Sequence, residues 1–203
     1  SDLAKYQFSK LLSAQNWLNN VDPAPYKQTA WEDHPHHSVI SASYELPLGR
    51  GKALGNTNNP ILSRLLSGWS TNVIYTGTSG GPLGWGNVIY LGGDLNLRPH
   101  YVDGPAFDVT RFNRNSAQQL QDNYRTFPER FADLRGDRVN NFDFSAMKTT
   151  QIRESLGLQY RCEFFNFANH PRFNGPNSSP TSSAFGLITS GGGNFRRIQM
   201  GLR

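Results

Sequence analysis

The stretch Leu156-Gly-Leu-Gln-Tyr160-Arg-Cys-Glu-Phe164 decides the fold class. Leu156, Leu158, Tyr160, Cys162 and Phe164 are apolar or aromatic, and Gly157, Gln159, Arg161 and Glu163 fill the places between them. Side chains alternate across a β-strand, so period two puts these sets on opposite faces of an extended segment. Residues 155–166 are therefore expected to form a strand with one apolar and one polar face.

Working outward, the same alternation recurs. Residues 37–46 place Ser38, Ile40, Ala42, Tyr44 and Leu46 opposite Val39, Ser41, Ser43 and Glu45. Residues 69–78 place Trp69, Thr71, Val73 and Tyr75 opposite Ser70, Asn72, Ile74 and Thr76. Residues 139–149 set Phe142, Phe144 and Ala146 against Asp143, Ser145 and Met147, and residues 195–203 end on Ile198, Met200 and Leu202. Shorter strands are expected at 85–91 and 184–190. Ile61 to Leu66 has the length of one or two helical turns. Residues 1–30 form an N-terminal segment, a short amphipathic helix or a preceding strand, with Leu3, Phe8, Leu11 and Leu12 loosely on one side. The strands then occupy 31–203. The stretch 92–138 lacks periodicity and contains Pro99, Pro105 and Pro128. A loop of that length inside a compact domain has a function or folds on itself.

Composition agrees with β-structure. Aromatic residues make up 12% of the 203 residues, too many for a charged disordered tail, and 20 glycines argue against a helical bundle. No apolar run reaches the roughly 18 residues of a membrane helix. The lone Cys162 allows neither an intrachain disulfide nor a cysteine metal cluster. Alternation alone leaves two readings open. An antiparallel sheet with one wet face and a transmembrane barrel with a polar lumen share this pattern.

Further motifs separate the two. Asp33-His-Pro-His36-His, with Ser41-Ala-Ser-Tyr44-Glu-Leu-Pro47-Leu-Gly-Arg-Gly-Lys52, resembles a stretch of large Oar-like TonB-dependent receptors. Gly68-Trp69-Ser70, Thr76-Gly-Thr-Ser-Gly-Gly-Pro82, Leu134-Arg-Gly-Asp137 and Asn141-Phe-Asp-Phe-Ser145 resemble later strands and turns of that family. So do Leu158-Gln-Tyr-Arg-Cys-Glu-Phe-Phe-Asn166-Phe-Ala-Asn-His-Pro171-Arg-Phe173, Phe185-Gly-Leu-Ile-Thr-Ser190 and Arg197-Ile-Gln-Met200. The matches run in family order from about residue 31 to 203, and residues 83–120 match poorly. The final Arg203 departs from the aromatic residue with which outer-membrane proteins usually end.

The resemblance implies an all-β chain. Its antiparallel strands form part of a transmembrane β-barrel with long polar loops in the outer membrane of a Gram-negative-type envelope. It implies a receptor or transporter segment that binds or imports a ligand, with energy coupling by a plug and a TonB-type transducer outside this sequence. Counting is consistent with a fragment. A spanning strand takes about 9–11 residues and the smallest barrels have roughly eight strands. The opening Ser1-Asp2, with neither initiator methionine nor leader, is expected either from processing or from a longer chain. Expected partners are outer-membrane lipid and the remaining strands, or another chain, that complete the sheet.

Site candidates are few. Gln159, Arg161 and Glu163 would face the lumen; Arg125, Arg130 and Arg135 belong to the basic loop and would face a ligand. Arg111, Arg114 and Arg138 extend that basic run, interleaved with Asp122, Glu129, Asp133 and Asp137. A net charge of +5 and the basic loop also suit a soluble or surface-assembled β-protein that binds an acidic polymer or a protein through its loops and sheet edges. His34, His36 and His37 have the imidazoles of a metal site, but only Glu32 and Asp33 lie near in sequence, and a strand-entry loop explains them as well. No Gly-x-Ser-x-Gly elbow or phosphate-binding loop occurs, and Cys162 lies on an apolar row. No enzyme activity, cofactor, metal or nucleic-acid partner is expected.

Overall fold

The computed structural model describes residues 2–14, 16–96, 104–119, 124–154 and 156–203. Ser155, Pro99 and Asp122 lie outside them. In chain order the strands are β1 (Asp2–Phe8), β2 (Leu12–Ser13), β3 (Gln28–Thr29), β4 (His36–Glu45), β5 (Trp69–Thr78), β6 (Pro82–Gly84), β7 (Arg130–Arg135), β8 (Val139–Arg153), β9 (Leu156–Phe165), β10 (Arg172–Phe173), β11 (Gly191–Gly193) and β12 (Arg197–Leu202). The helix α1 (Pro60–Leu66) lies where the sequence allowed helical turns, and the Asn59 side chain caps it by accepting from Ile61 N and Leu62 N.

The order β1-β4-β5-β8-β9-β12 makes one six-stranded antiparallel sheet. It is an open sheet with β1 and β12 at its edges. The register carries the functional information. Ala42, Val73, Phe144, Phe164 and Ile198 are successive partners across five strands, and Ala146, Cys162 and Met200 across three. Ser43, Asn72, Ser145, Glu163 and Gln199 form a row of the opposite face. The apolar rows thus join into one face and the polar rows into the other. A slip of one residue would exchange the faces of a strand.

The apolar face has no second layer among the described residues. Ile198 and Met200 remain 56% and 66% exposed, and Tyr6, Ile40, Tyr44 and Leu158 are exposed as well. A soluble sheet with one wet face would cover these rows, and uncovered apolar area on this scale meets lipid or another chain. Tyr44 and Trp69 gather at one end of the face, and Phe8, Tyr75 and Phe142 toward the other. Six residues separate Trp69 from Tyr75, about 20 Å at the usual strand rise. Transmembrane barrels carry an apolar band of about 25 Å between aromatic rows. Lys148 breaks the apolar row, but its Nζ donates to Arg64 O at 2.8 Å and Ser67 O at 2.6 Å, at the C-terminal end of α1. Its ammonium thereby leaves the apolar face for the carbonyls at the end of α1.

Most of the buried apolar side chains lie outside the sheet. The described residues of the segments 9–35, 79–138 and 166–196, which all leave the same end of the strands, fold together as a cap. Trp85, Val88, Leu95, Phe107, Phe112, Phe127, Leu134 and Phe185 form its core. Trp85 stands 5.0 Å from Phe107, 5.5 Å from Phe112 and 5.4 Å from Phe131, ring centre to ring centre.

Two local expectations are corrected here, and of the two alternatives for the N-terminal segment residues 2–8 take the strand. Residues 85–91 are not a strand: Trp85 and Val88 turn inward to the core, and only Tyr90 bridges to Phe112. Residues 184–190 are not a strand: 184–186 form a turn in which Phe185 N donates to Ser182 O and Leu187 N to Ala184 O, because Phe185 anchors in the same core. The amphipathic helix is absent from residues 2–8, where Ala4, Tyr6 and Phe8 alternate onto the apolar face and pair with β4. Sheet pairing supplies hydrogen bonds that a short isolated helix could not sustain in water.

Candidate functional site

The polar face of the sheet carries mainly side chains that donate and accept, with Val39, Ile74 and Met147 among them. Asn72, Asp143, Ser145 and Glu163 line a shallow hollow of about 100 Å³ on it. On β9, Arg161 Nη1 lies 3.5 Å from Glu163 Oε1, and Arg161 Nη2 reaches Met147 Sδ at 3.3 Å. Gln159 and Arg161 also line a second hollow with Arg203, near the end of the sheet away from the cap. Gln159, Arg161 and Glu163 therefore share one polar face, as their spacing indicates.

The arginines of the cap lie elsewhere. Arg125 is buried, donates through Nη2 to Trp85 O at 2.7 Å and to Gly86 O, and stacks 4.8 Å from the Phe127 ring. Burial lowers its guanidinium pKa, while Glu129 acts in the opposite direction. Arg130 is only 3% exposed, stacks 4.6 Å over Trp31 and lies 3.8 Å from Glu129. Arg135 Nη1 donates to Asp33 O and Gly80 O, and its Nη2 to Asp33 Oδ2 at 2.6 Å. Arg111 pairs with Asp108, and Arg114 donates to Pro180 O and Ser182 O. The basic run thus ties the loop to itself and to its neighbours.

Residue 138 differs. Arg138 is exposed and no acceptor among the described residues takes its side chain. It lines a cleft of about 550 Å³ where the cap meets the polar face. Thr76 and Asn141, register partners on that face, form part of its floor. Asp137, His170, Arg172 and Asn194 form part of its walls. The carboxylate of Asp137 is already engaged, accepting from Phe173 N at 2.8 Å. Arg172, like Arg138, is exposed, and its guanidinium has no partner among the described residues.

Asn166 positions one wall of this cleft. It is 1% exposed, with φ of 50° in the left-handed region that asparagine tolerates better than most residues. Its backbone N–H donates to Asp143 Oδ1 at 2.8 Å, and its Oδ1 accepts from His170 N at 2.9 Å. Its Nδ2 donates to His170 O at 3.0 Å and to Asn194 O. The backbone N–H of Asn166 thus ties it to β8, while its side chain joins the His170 turn to the approach to β12. Asn194 in turn donates from Nδ2 to Asn141 Oδ1 at 3.3 Å.

His34, His36 and His37 do not converge on a cation. His34 Nδ1 meets Ser79 O, His36 Nδ1 meets Tyr6 Oη, and His37 Nδ1 meets Thr78 Oγ1. The histidines join β4 to its neighbours, and no potential metal cluster occurs among the described residues.

Sequence spacing missed the cleft because its charged residues come from distant segments, at 137–138 and 170–172. The available signal was the Asn-His-Pro-Arg segment after β9, which stood out by resemblance but suggested no chemistry.

A family model described as "Outer membrane beta barrel domain" matches residues 1–199. No curated protein and no solved structure matches the chain.

Proposed function

The chain belongs to the outer membrane beta barrel domain family and is placed by it in the outer membrane, and from that premise we propose that it is a wall segment of a receptor-type barrel. The observation that carries this reading is the division of the six-stranded sheet into an uncovered apolar face and a polar face, with a folded cap at one end. The apolar face meets outer-membrane lipid. The polar face, with Gln159, Arg161 and Glu163, lines the path of a ligand. Arg125, Arg130 and Arg135 act one step removed, by fixing the loops that a ligand meets first.

The edges β1 and β12 pair with further strands, either of the same polypeptide or of another chain. An edge left open in hydrocarbon costs several kcal/mol for each unsatisfied backbone group. The ordered resemblance to Oar-like TonB-dependent receptors favours completion by the same polypeptide, with import driven through a plug outside residues 1–203. The role is binding and passage rather than catalysis.

Labelling tests the assignment of faces. In a Cys162→Ala background reconstituted in lipid vesicles, a spin label at Leu158→Cys is expected to be more accessible to dissolved oxygen than to a water-soluble nickel chelate. The label at Gln159→Cys is expected to show the reverse. Equal accessibility of both positions to the chelate would remove the lipid-facing assignment.

A further inference from the structure

Resting on the receptor reading, we infer that the cleft beneath the cap binds an oxyanion carried on a hydroxyl-rich small molecule, with Arg138 and Arg172 holding the anion. The argument starts from the distribution of charge. Arg111, Arg114, Arg125, Arg130 and Arg135 all spend their guanidinium groups on internal partners. Arg138 and Arg172 spend theirs on none, and both line the same cleft of about 550 Å³. That volume is within the usual range for a small-molecule site.

The Asp137 carboxylate also lines the cleft, and its Oδ2 takes a backbone hydrogen bond from Phe173. Two guanidinium groups against one engaged carboxylate leave a net positive lining. Guanidinium presents paired N–H donors suited to carboxylate and phosphate oxygens. The rest of the lining includes Thr76, Asn140, Asn141 and Asn194. Hydroxyl and amide groups of this kind both donate and accept, which matches the hydroxyl groups of a sugar. His170 adds an imidazole to the same wall. Val139, Pro171 and Phe173 also line the cleft and give the carbon skeleton of such a ligand an apolar surface, while a cation would meet the two arginines.

The position suits capture. The cleft lies where residues 166–196 fold back onto the polar face, so a ligand held there already touches Thr76 and Asn141 at the end of the proposed path. Neither arginine holds the cap together, so both can be replaced without breaking an internal bond.

The test uses the whole chain, refolded in detergent micelles, with glucose 6-phosphate, glucuronate, inorganic phosphate and glucose as probes in calorimetric titrations. Binding of glucose 6-phosphate or glucuronate, with no binding of glucose, is expected. Preference between the two sugars distinguishes a phosphate from a carboxylate ligand. Inorganic phosphate is expected to bind more weakly than either. Arg138→Gln and Arg172→Gln are each expected to weaken binding at least tenfold. Lys52→Gln, which removes one positive charge outside the cleft, is expected to leave it unchanged. Equal binding of glucose and glucose 6-phosphate, unchanged affinity in the double arginine variant, or no binding of any probe would overturn the proposal. The spin-label experiment is independent of it. If labels at Leu158 and Gln159 divide between lipid and water while no anion binds, the anion site falls and the barrel reading stands.

Discussion

Arg135 and Asp33 lie 102 positions apart in the chain and meet at 2.6 Å, joining the start of β4 to the end of β7 at the base of the cap. Asp33 is 1% exposed. Burial raises its pKa, but hydrogen bonds from Leu11 N and Arg135, with the charges of Arg135 and Lys10, outweigh it and hold the carboxyl below its ordinary value of 3.8. A carboxylate with a depressed folded-state pKa adds stability above its unfolded pKa, and that stability disappears as pH falls through the folded value. The cap is therefore expected to be indifferent to pH near neutrality and to loosen below about pH 4. Asp33→Asn should abolish that acid-dependent loss and destabilise the cap at neutral pH by about 3–5 kcal/mol, because Arg135 is left without its counter-charge. Hydrogen exchange at Leu11 and Gly80 between pH 3 and 7 would measure both effects. An unchanged acid profile in Asp33→Asn would exclude the ion pair as the source.

Asn166 makes a sharper prediction about the cleft. Removing its side chain leaves His170 N, His170 O and Asn194 O without their partner. Asn166→Ala is expected to cost about 1–3 kcal/mol, the usual penalty for stranding buried polar groups. Asn166→Asp keeps the acceptor for His170 N and loses the two donations. Intermediate protection of residues 166–194 against proteolysis is therefore expected for Asp, and the least for Ala. Equal protection in both variants would mean that Asn166 does not organise this loop.

The sheet was legible in the sequence to a degree that the cap was not, and the reason is physical. In β9 each alternate residue meets a different medium, so the sequence records the two faces directly. The expected 69–78 coincides with β5, and the other principal strands differ from expectation only at their ends. In the cap, Trp85, Phe107, Phe112 and Phe185 meet because loops cross, and no periodicity carries that information. The basic run of the loop points to Arg125 and Arg130 as ligand-facing, because nothing in the local pattern shows what else could receive them. Trp31 and Phe127 instead supply aromatic faces that receive the two guanidiniums inside the cap. Arg172 stands in the Asn-His-Pro-Arg segment that the resemblance marks, but its local sequence suggests no chemistry. Its significance comes from Arg138, to which it is joined only by the fold.

Gly68 tests how tightly the far end of the sheet is built. Its φ is +79°, and a Cβ there would lie 2.2 Å from Thr149 O. That oxygen belongs to the β8 backbone, which cannot swing away as a flexible side chain would. Thr149 N also donates to Gly68 O at 2.9 Å. Gly68→Ala is expected to destabilise the sheet by about 1–3 kcal/mol from the left-handed backbone alone, with the clash in addition. Chemical denaturation in vesicles should show the loss. Gly51→Ala is a useful companion, because φ is +73° but a Cβ would meet nothing within 4 Å. It isolates the backbone cost, and a loss as large as that of Gly68→Ala would deny the clash with Thr149.

The apolar row of β9 gives a prediction that depends on depth. Leu156, Leu158, Tyr160, Cys162 and Phe164 follow one another along the apolar face, exposed at Leu156 and Leu158 and buried at Cys162, while Gln159, Arg161 and Glu163 follow along the polar one. Arginine placed successively along the first row samples the bilayer from one interface to the other. The expected cost is about 2–4 kcal/mol near the midplane and about 0–1 near either interface. Gln159→Arg and Glu163→Arg point to the lumen and should show no such profile. Glu163→Arg loses the pair with Arg161, a contribution expected near 0–1 kcal/mol for an ion pair this exposed. Unfolding free energies in vesicles of defined thickness give the measurement. A second set in thicker bilayers should broaden the costly region along the apolar row and leave the polar row unmoved. If the row packed instead against a protein layer, the cost would follow how tightly each side chain is packed and would ignore bilayer thickness. A flat response to thickness across Leu158, Cys162 and Phe164 would therefore place protein, not lipid, against this face.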